Sequence, residues 1–168
     1  MNTFQIGNIT VGGGRLFLMA GPCVLEGLDR SLMIGRRCKE IAERLNIPYI
    51  FKASFDKANR SSYKNPRGPG LELGLEQLAA IKAELGVPLV TDIHETTQAE
   101  PVSKIADVIQ IPAFLCRQTD LLKAAAQTGA IVNVKKGQFL SPLDMKNVVE
   151  KIEHFGSRRI MQIGRAHV

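Results

Sequence analysis

Tryptophan is absent from this chain of 168 residues, and aromatic residues of all kinds make up only 5% of it. No run of Lys or Arg exceeds two residues. A nucleic-acid-binding surface neutralises backbone phosphates with clustered cations and stacks bases on aromatic rings, so nucleic acid is excluded as the expected partner. Long apolar runs are missing too. None approaches the roughly 18 residues that a membrane-spanning helix needs, and no membrane partner is expected. The first residues, MNTFQIGNITVGGG, lack a basic stretch followed by an apolar core, so no secretory signal is predicted. Cysteine is scarce: Cys23, Cys38 and Cys116 are odd in number and widely spaced. That argues against a disulfide framework and predicts a reducing, cytoplasmic location.

What remains is the composition of a soluble globular protein, 45% hydrophobic, with 22 basic against 16 acidic residues and a formal charge of +6. With nucleic acid set aside, that excess of positive charge suits small anionic substrates, which a cleft of one sign draws in. The length allows a single domain with a sizeable core.

Apolar runs and amphipathic stretches alternate. Phe4–Thr10 and the Gly12-Gly13-Gly14 turn read as an N-terminal hairpin element; no Lys-Ser/Thr follows the glycines, so they are not a phosphate loop. Strands are predicted at Leu16–Ala20, Pro48–Ala53, Pro88–Ile93, Val108–Pro112 and Ile131–Val134, with a sixth beginning at Arg159–Gln162. Helices are predicted at Asp29–Leu45 (apolar stripe Leu32, Met33, Ile41, Ala42, Leu45), at Leu71–Leu85 closed by Gly86, at Thr97–Ile105 and at Thr119–Gln127. The last is predicted at Leu143–Phe155, with Ser141-Pro142 as N-cap and first position. Strict alternation implies an α/β fold with parallel strands and right-handed crossovers. Polar residues close every strand: Cys23, Lys52, Asp92 with His94, Gln110, and Lys135 with Lys136. A ring of such residues from successive strands favours a (β/α)8 TIM barrel over a doubly wound sheet, which concentrates its site at one switch point.

The densest chemistry lies in Phe51–Glu72, FKASFDKANRSSYKNPRGPGLE. Lys52, Lys57, Arg60, Lys64 and Arg67 stand against one acid, Asp56, before the closing Glu72, with Ser54, Asn59, Ser61 and Ser62 between them. A basic loop is by itself more often solvated surface. This one begins at a strand end, where α/β proteins place their chemistry, and its cations, hydroxyls and Gly-Pro-Gly turn suit phosphate.

Lys-Ala-Ser-Phe-Asp-Lys-Ala-Asn-Arg-Ser-Ser followed by Arg-Gly-Pro-Gly-Leu-Glu resembles the signature of the 3-deoxy-D-manno-octulosonate 8-phosphate synthases, which join phosphoenolpyruvate to arabinose 5-phosphate. Four further blocks resemble theirs in order: Ala20–Cys23, Thr91–Glu95, Gln110–Asp120 and Asn133–Phe139. The resemblance implies the (β/α)8 barrel and a lipopolysaccharide-precursor synthase with phosphorylated small-molecule substrates. It also implies a homo-oligomer, a tetramer when complete. It places Lys57 by the reacting carbons, neutralising phosphoenolpyruvate or giving a proton to the aldehyde oxygen, and Asn59, Arg60 and Ser61 on arabinose 5-phosphate. Lys52 would lie near the carboxylate or phosphate of phosphoenolpyruvate, His94 beside that substrate with Asp92 supporting it, and Gln110 near the substrates. The Ala113 amide would sit on the phosphate, and Arg117 would reach a neighbouring subunit's sugar phosphate. Adjacent strand residues face opposite ways. Lys135 matches the phosphoenolpyruvate ligand, while Lys136 is expected to pair outside or in the loop. Cys23 matches the first ligand of a divalent metal (zinc, iron or manganese) in the metal-dependent branch; its other ligands find no match here. The related aldoheptulosonate synthases, which use erythrose 4-phosphate, carry a Lys-Pro-Arg-Thr loop from which Lys57–Ser62 departs.

A complete barrel takes about 250 residues, and only the first five to six β/α units are predicted here. The domain is predicted to span residues 1–161. Residues 162–168 are predicted to be a non-native tail, since Ile163–Val168 is what a common sequencing-adapter sequence encodes. The fragment by itself is expected to be inactive.

Overall fold

The computed structural model describes residues 3–164. Residues 165–168, most of the expected tail, lie outside them, while Gln162 and Ile163 belong to a paired strand. The chain falls into two compact units, residues 1–91 and 92–168.

The first unit opens with an antiparallel hairpin of β1 (Phe4–Ile6) and β2 (Ile9–Val11). The turn is Gly7-Asn8, not the triple glycine, which follows β2. Gly7 takes φ +57, a value that costs glycine little and lets two residues reverse the chain. Strands β3 (Leu18–Ala20), β4 (Tyr49–Lys52) and β5 (Leu89–Asp92) come next, separated by helices α1 (Leu28–Arg44) and α2 (Leu71–Leu85). β3 pairs with β4 in parallel and β4 with β5, with Phe51 opposite both Ala20 and Leu89. Ile50, Phe51, Leu89 and Val90 are fully buried. Burial on both faces is why these strands read as continuous apolar runs.

α2 buries Gly74, Leu78, Ile81 and Leu85, a helical stripe, and ends at Gly86 in the left-handed conformation (φ 61), as predicted. The expected stripe of α1 differs. Met33 and Leu45 are exposed, and the buried positions are Ser31, Gly35 and Ala42. The reason is close approach: a Cβ on Gly35 would lie 2.5 Å from Leu85 Cδ1 and 3.1 Å from Phe51 Cε2. Large neighbours fill the space, so the helix presents small residues to them.

The second unit carries β6 (Val108–Ile111), β7 (Ile131–Lys135) and β8 (Ile160–Ile163), parallel and in chain order, with helices α3 (Ala99–Ser103), α4 (Thr119–Gln127) and α5 (Met145–His154). A 3-10 turn, Thr96–Gln98, precedes α3, and a second, Ala113–Leu115, follows β6. α5 starts two residues after the expected position. Ser141 still accepts the Asp144 amide at 3.2 Å, but it closes a separate turn one step upstream of the helix. Leu121, Leu122, Ala125 and Ala126 of α4 and Met145, Val148 and Ile152 of α5 are buried, each large side chain contributing about 1.5–3 kcal/mol. The class is α/β, with parallel strands alternating with helices after a hairpin: five β/α units and a sixth strand of the (β/α)8 pattern.

Candidate active site

The first unit gathers its chemistry at the C-terminal ends of β3 and β4. Phe51 and Ala53 are fully buried, so the alternation of a strand sends Lys52 and Ser54 to the opposite side. Ser54 is itself fully buried and is held by backbone from the β3 side, bridging Val24 and passing its carbonyl to the Leu25 amide at 3.0 Å. Its hydroxyl receives two ammonium groups: Lys52 Nζ donates at 2.8 Å and Lys57 Nζ at 2.9 Å. Two positive charges on one oxygen are about 5 Å apart and repel by about 3 kcal/mol at an effective dielectric of ~20. Negative charge brought to this point relieves that repulsion.

The loop beyond is tied down rather than loose. The Lys57 amide donates to Arg67 O at 2.7 Å, and the Gly70 amide to Phe55 O at 3.2 Å. Arg67 forks onto Asp56, Nε at 2.9 Å and Nη2 at 2.5 Å, and this acid holds the guanidinium pKa above its ordinary value. The lone acid of the loop thus fixes its geometry and leaves Lys57 to Ser54. Asn59, Arg60 and Ser61 are exposed at the rim, with Arg60 Nε on the Pro66 carbonyl at 3.1 Å.

Cys23 is exposed at the end of β3. Among the described residues no three His, Cys, Asp or Glu side chains gather in a group able to hold a metal ion. The residues present therefore do not make up a metal site, and no chemical step is assigned through one.

In the second unit, Asp92 and His94 leave β5 on one side, Asp92 Oδ2 lying 3.6 Å from His94 Nε2, both largely buried. The segment is anchored by its neighbours. The Ile93 amide donates to Gln110 O at 3.1 Å, and the Gln98 carboxamide oxygen accepts the His94 amide at 2.8 Å. Glu95 and Gln98 complete a reciprocal capping box at the 3-10 turn. On β6 and β7, Gln110 stands opposite Asn133, whose Nδ2 donates to Gln110 Oε1 at 3.1 Å, with both side chains buried. Lys135 follows Asn133 by two residues on the same face and is half-buried. Lys136 is the one that turns into the loop, 6% exposed, donating to the Gly137 and Leu140 carbonyls at 2.9 and 2.8 Å. Ala113 opens its 3-10 turn, so its amide belongs to the first-turn N–H groups that lack an acceptor within the helix. Arg117 is exposed beyond it, its carbonyl receiving Lys151 Nζ at 3.1 Å.

The structure thus brings Lys52 together with Lys57, and Asp92 with His94. It leaves Asn59, Arg60, Ser61 and Arg117 on exposed loops. Asn133 escaped the sequence reading as a site residue, and Ser54 was read only as one of several loop hydroxyls. Each lies two places along the chain from a lysine of the same face, and both are common residue types with no signal of their own.

A family model described as the DAHP synthetase I family matches residues 2–166. Among curated proteins, 2-dehydro-3-deoxyphosphooctonate aldolase of Fusobacterium nucleatum is 56% identical over 162 residues, 96% of this chain and 58% of that protein. The proteins of the same name from Rickettsia bellii and Geobacter metallireducens are 58% identical over 144 residues (86% of this chain, 53% of theirs) and 55% identical over 157 residues (93% and 58%). The chain spans a little over half the length of these relatives.

Proposed function

The chain belongs to the DAHP synthetase I family, and from that premise we propose that the whole protein is a 3-deoxy-D-manno-octulosonate 8-phosphate synthase. The reaction condenses phosphoenolpyruvate, D-arabinose 5-phosphate and water to the eight-carbon acid phosphate and inorganic phosphate. The observation that carries this reading is the pair of ammonium groups at 2.8 and 2.9 Å on the buried Ser54 hydroxyl. It lies within a loop whose residues resemble the synthase signature. The names of the relatives at 55–58% identity support the same choice.

In this reading C3 of phosphoenolpyruvate attacks the C1 aldehyde of arabinose 5-phosphate. Water adds at C2, and the hemiketal phosphate loses inorganic phosphate by C–O cleavage. Lys52 lies near the carboxylate or phosphate of phosphoenolpyruvate, and Lys57 neutralises that substrate or gives a proton to the C1 oxygen of the aldehyde. Asn59, Arg60 and Ser61 hold the sugar phosphate, a task for which the Arg fork is suited. In the second unit His94, supported by Asp92, and Lys135 contact phosphoenolpyruvate. Gln110 and the Ala113 amide add hydrogen bonds, and Arg117 serves a neighbouring subunit in a homotetramer. The enzyme is assigned to the cytoplasm; among the described residues no helix is long and apolar enough to cross a membrane.

Phosphate release by the full-length protein, with arabinose 5-phosphate and erythrose 4-phosphate in competition, is the test. Faster turnover with arabinose 5-phosphate is expected. Preference for erythrose 4-phosphate would assign the heptulosonate reaction instead, and release with neither sugar would end the synthase reading. The 168-residue chain by itself is expected to bind phosphoenolpyruvate without turnover.

A further inference from the structure

We propose that Asn133 is a positioning residue for the reaction: by holding the Gln110 carboxamide oxygen it turns the Gln110 amide nitrogen toward the anionic substrate. The two residues stand opposite each other in the register of β6 and β7 and are 5% (Gln110) and 2% (Asn133) exposed. A carboxamide is nearly symmetric in shape, so the walls around it do not decide which end carries the oxygen and which the two N–H donors. The hydrogen bond decides it. Asn133 Nδ2 donates to Gln110 Oε1 at 3.1 Å, which fixes the oxygen on the β7 side and leaves Nε2 at the other end. Among the described residues Gln110 Nε2 has no acceptor.

A donor left without an acceptor in so buried a residue is costly until a partner arrives, and that partner has to accept. Turned end for end, the same carboxamide would meet an anion with its own oxygen and repel it. Asn133 is oriented in its turn. Lys135 lies two residues on along the same face, half-buried, and its ammonium makes no hydrogen bond or ion pair among the described residues. That charge favours the Asn133 oxygen on its own side and leaves Nδ2 for Gln110. Direction thus passes from cation to amide to amide along a line of buried polar groups, and the line ends in donors. A free ammonium and a free N–H pair on one face select an anionic oxygen. The inference rests on reading this face as one that meets phosphoenolpyruvate, and adds to it a residue that acts without touching that substrate.

The test is calorimetric titration of the full-length protein with phosphoenolpyruvate, no sugar being present, in the parent, Asn133→Leu, Gln110→Met and the double variant. Each is titrated well below its own melting temperature, so that a role in stability alone leaves affinity unmoved. Asn133→Ala takes the place of Asn133→Leu if leucine prevents a cooperative melt. Each single change is expected to weaken binding about tenfold, one hydrogen bond to a charged acceptor. The double variant is expected to bind about tenfold more weakly too, not about a hundredfold, because Asn133 has nothing to orient once the Gln110 donor is gone. Parent-like affinity in either single variant overturns the proposal. Additive losses in the double variant also overturn it, since Asn133 would then act independently of Gln110. So does failure of the parent to bind phosphoenolpyruvate. The expected pattern in a protein that releases no phosphate with either sugar leaves this proposal standing and the synthase reading refuted.

Discussion

Replacing Gly21 by alanine is expected to damage both the fold and the lysine cluster. A Cβ built on Gly21 lies 2.1 Å from the Lys52 carbonyl oxygen, 3.0 Å from its carbon and 3.3 Å from its nitrogen. Carbon and oxygen in contact stand about 3.3 Å apart, so more than about 1 Å must be found. The obstacle is a peptide group, not the tip of a flexible side chain. It cannot swing aside, because it belongs to β4, between the fully buried Phe51 and Ala53. Overpacking a filled core costs about 1–3 kcal/mol when side chains can rearrange, and the upper end applies where backbone has to move. For a domain of this size each kcal/mol lowers Tm by about 2–4 °C, so a fall of about 6–12 °C is expected. The displaced peptide carries Lys52 directly and Ser54 two residues on, so phosphate affinity should drop about tenfold with it. Gly13→Ala is the control. Its Cβ meets the Thr10 side chain, Cγ2 at 3.3 Å and Cβ at 4.0 Å, and the change should stay within about 0.5 kcal/mol. Thermal melts by circular dichroism, with calorimetric titration of phosphate, read both effects. A Gly21→Ala chain that melts within about 2 °C of the parent would refute the packing argument.

Asn133→Leu strands the buried Gln110 carbonyl oxygen and should cost about 1–3 kcal/mol, whereas the double change with Gln110→Met should recover most of it, because removing both partners leaves nothing unsatisfied. Denaturant melts of the four chains decide this, and strictly additive losses would count against the hydrogen bond. Burial pushes the Tyr49 phenol pKa up, and the neighbouring Cys38 thiol acts in the same direction. The folded chain therefore holds this proton where the unfolded chain has lost it. Stability from Tyr49 is complete below the unfolded value of about 10 and declines as pH rises beyond it. Tyr49→Phe should flatten that alkaline decline relative to the parent, while losing the 2.9 Å hydrogen bond to Ala20 O; equal slopes in the two chains would show that the phenol does not contribute.

The helix α2, bounded at Leu71 and Gly86, and α4 at Thr119–Gln127 stood in the sequence because glycine signals and an apolar stripe act locally. So did the order of strands and helices and the basic loop after β4. The burial of α1 did not, since only the approach of Phe51 and Leu85 to Gly35 makes small residues its buried face. The position of the hairpin turn was misjudged because three consecutive glycines outweigh a single Gly-Asn in composition, while φ +57 at Gly7 decides the reversal. For the site, sequence determined which residue types cluster at which strand end. Tertiary structure alone decided that Lys52 and Lys57 meet on one buried hydroxyl, that Gln110 is spoken for by Asn133, and which two carbonyls Lys136 meets in its loop. Spacing along a chain sets which face a side chain leaves from. Which atoms it meets there depends on strands brought alongside from tens of residues away, and a local pattern carries no record of them.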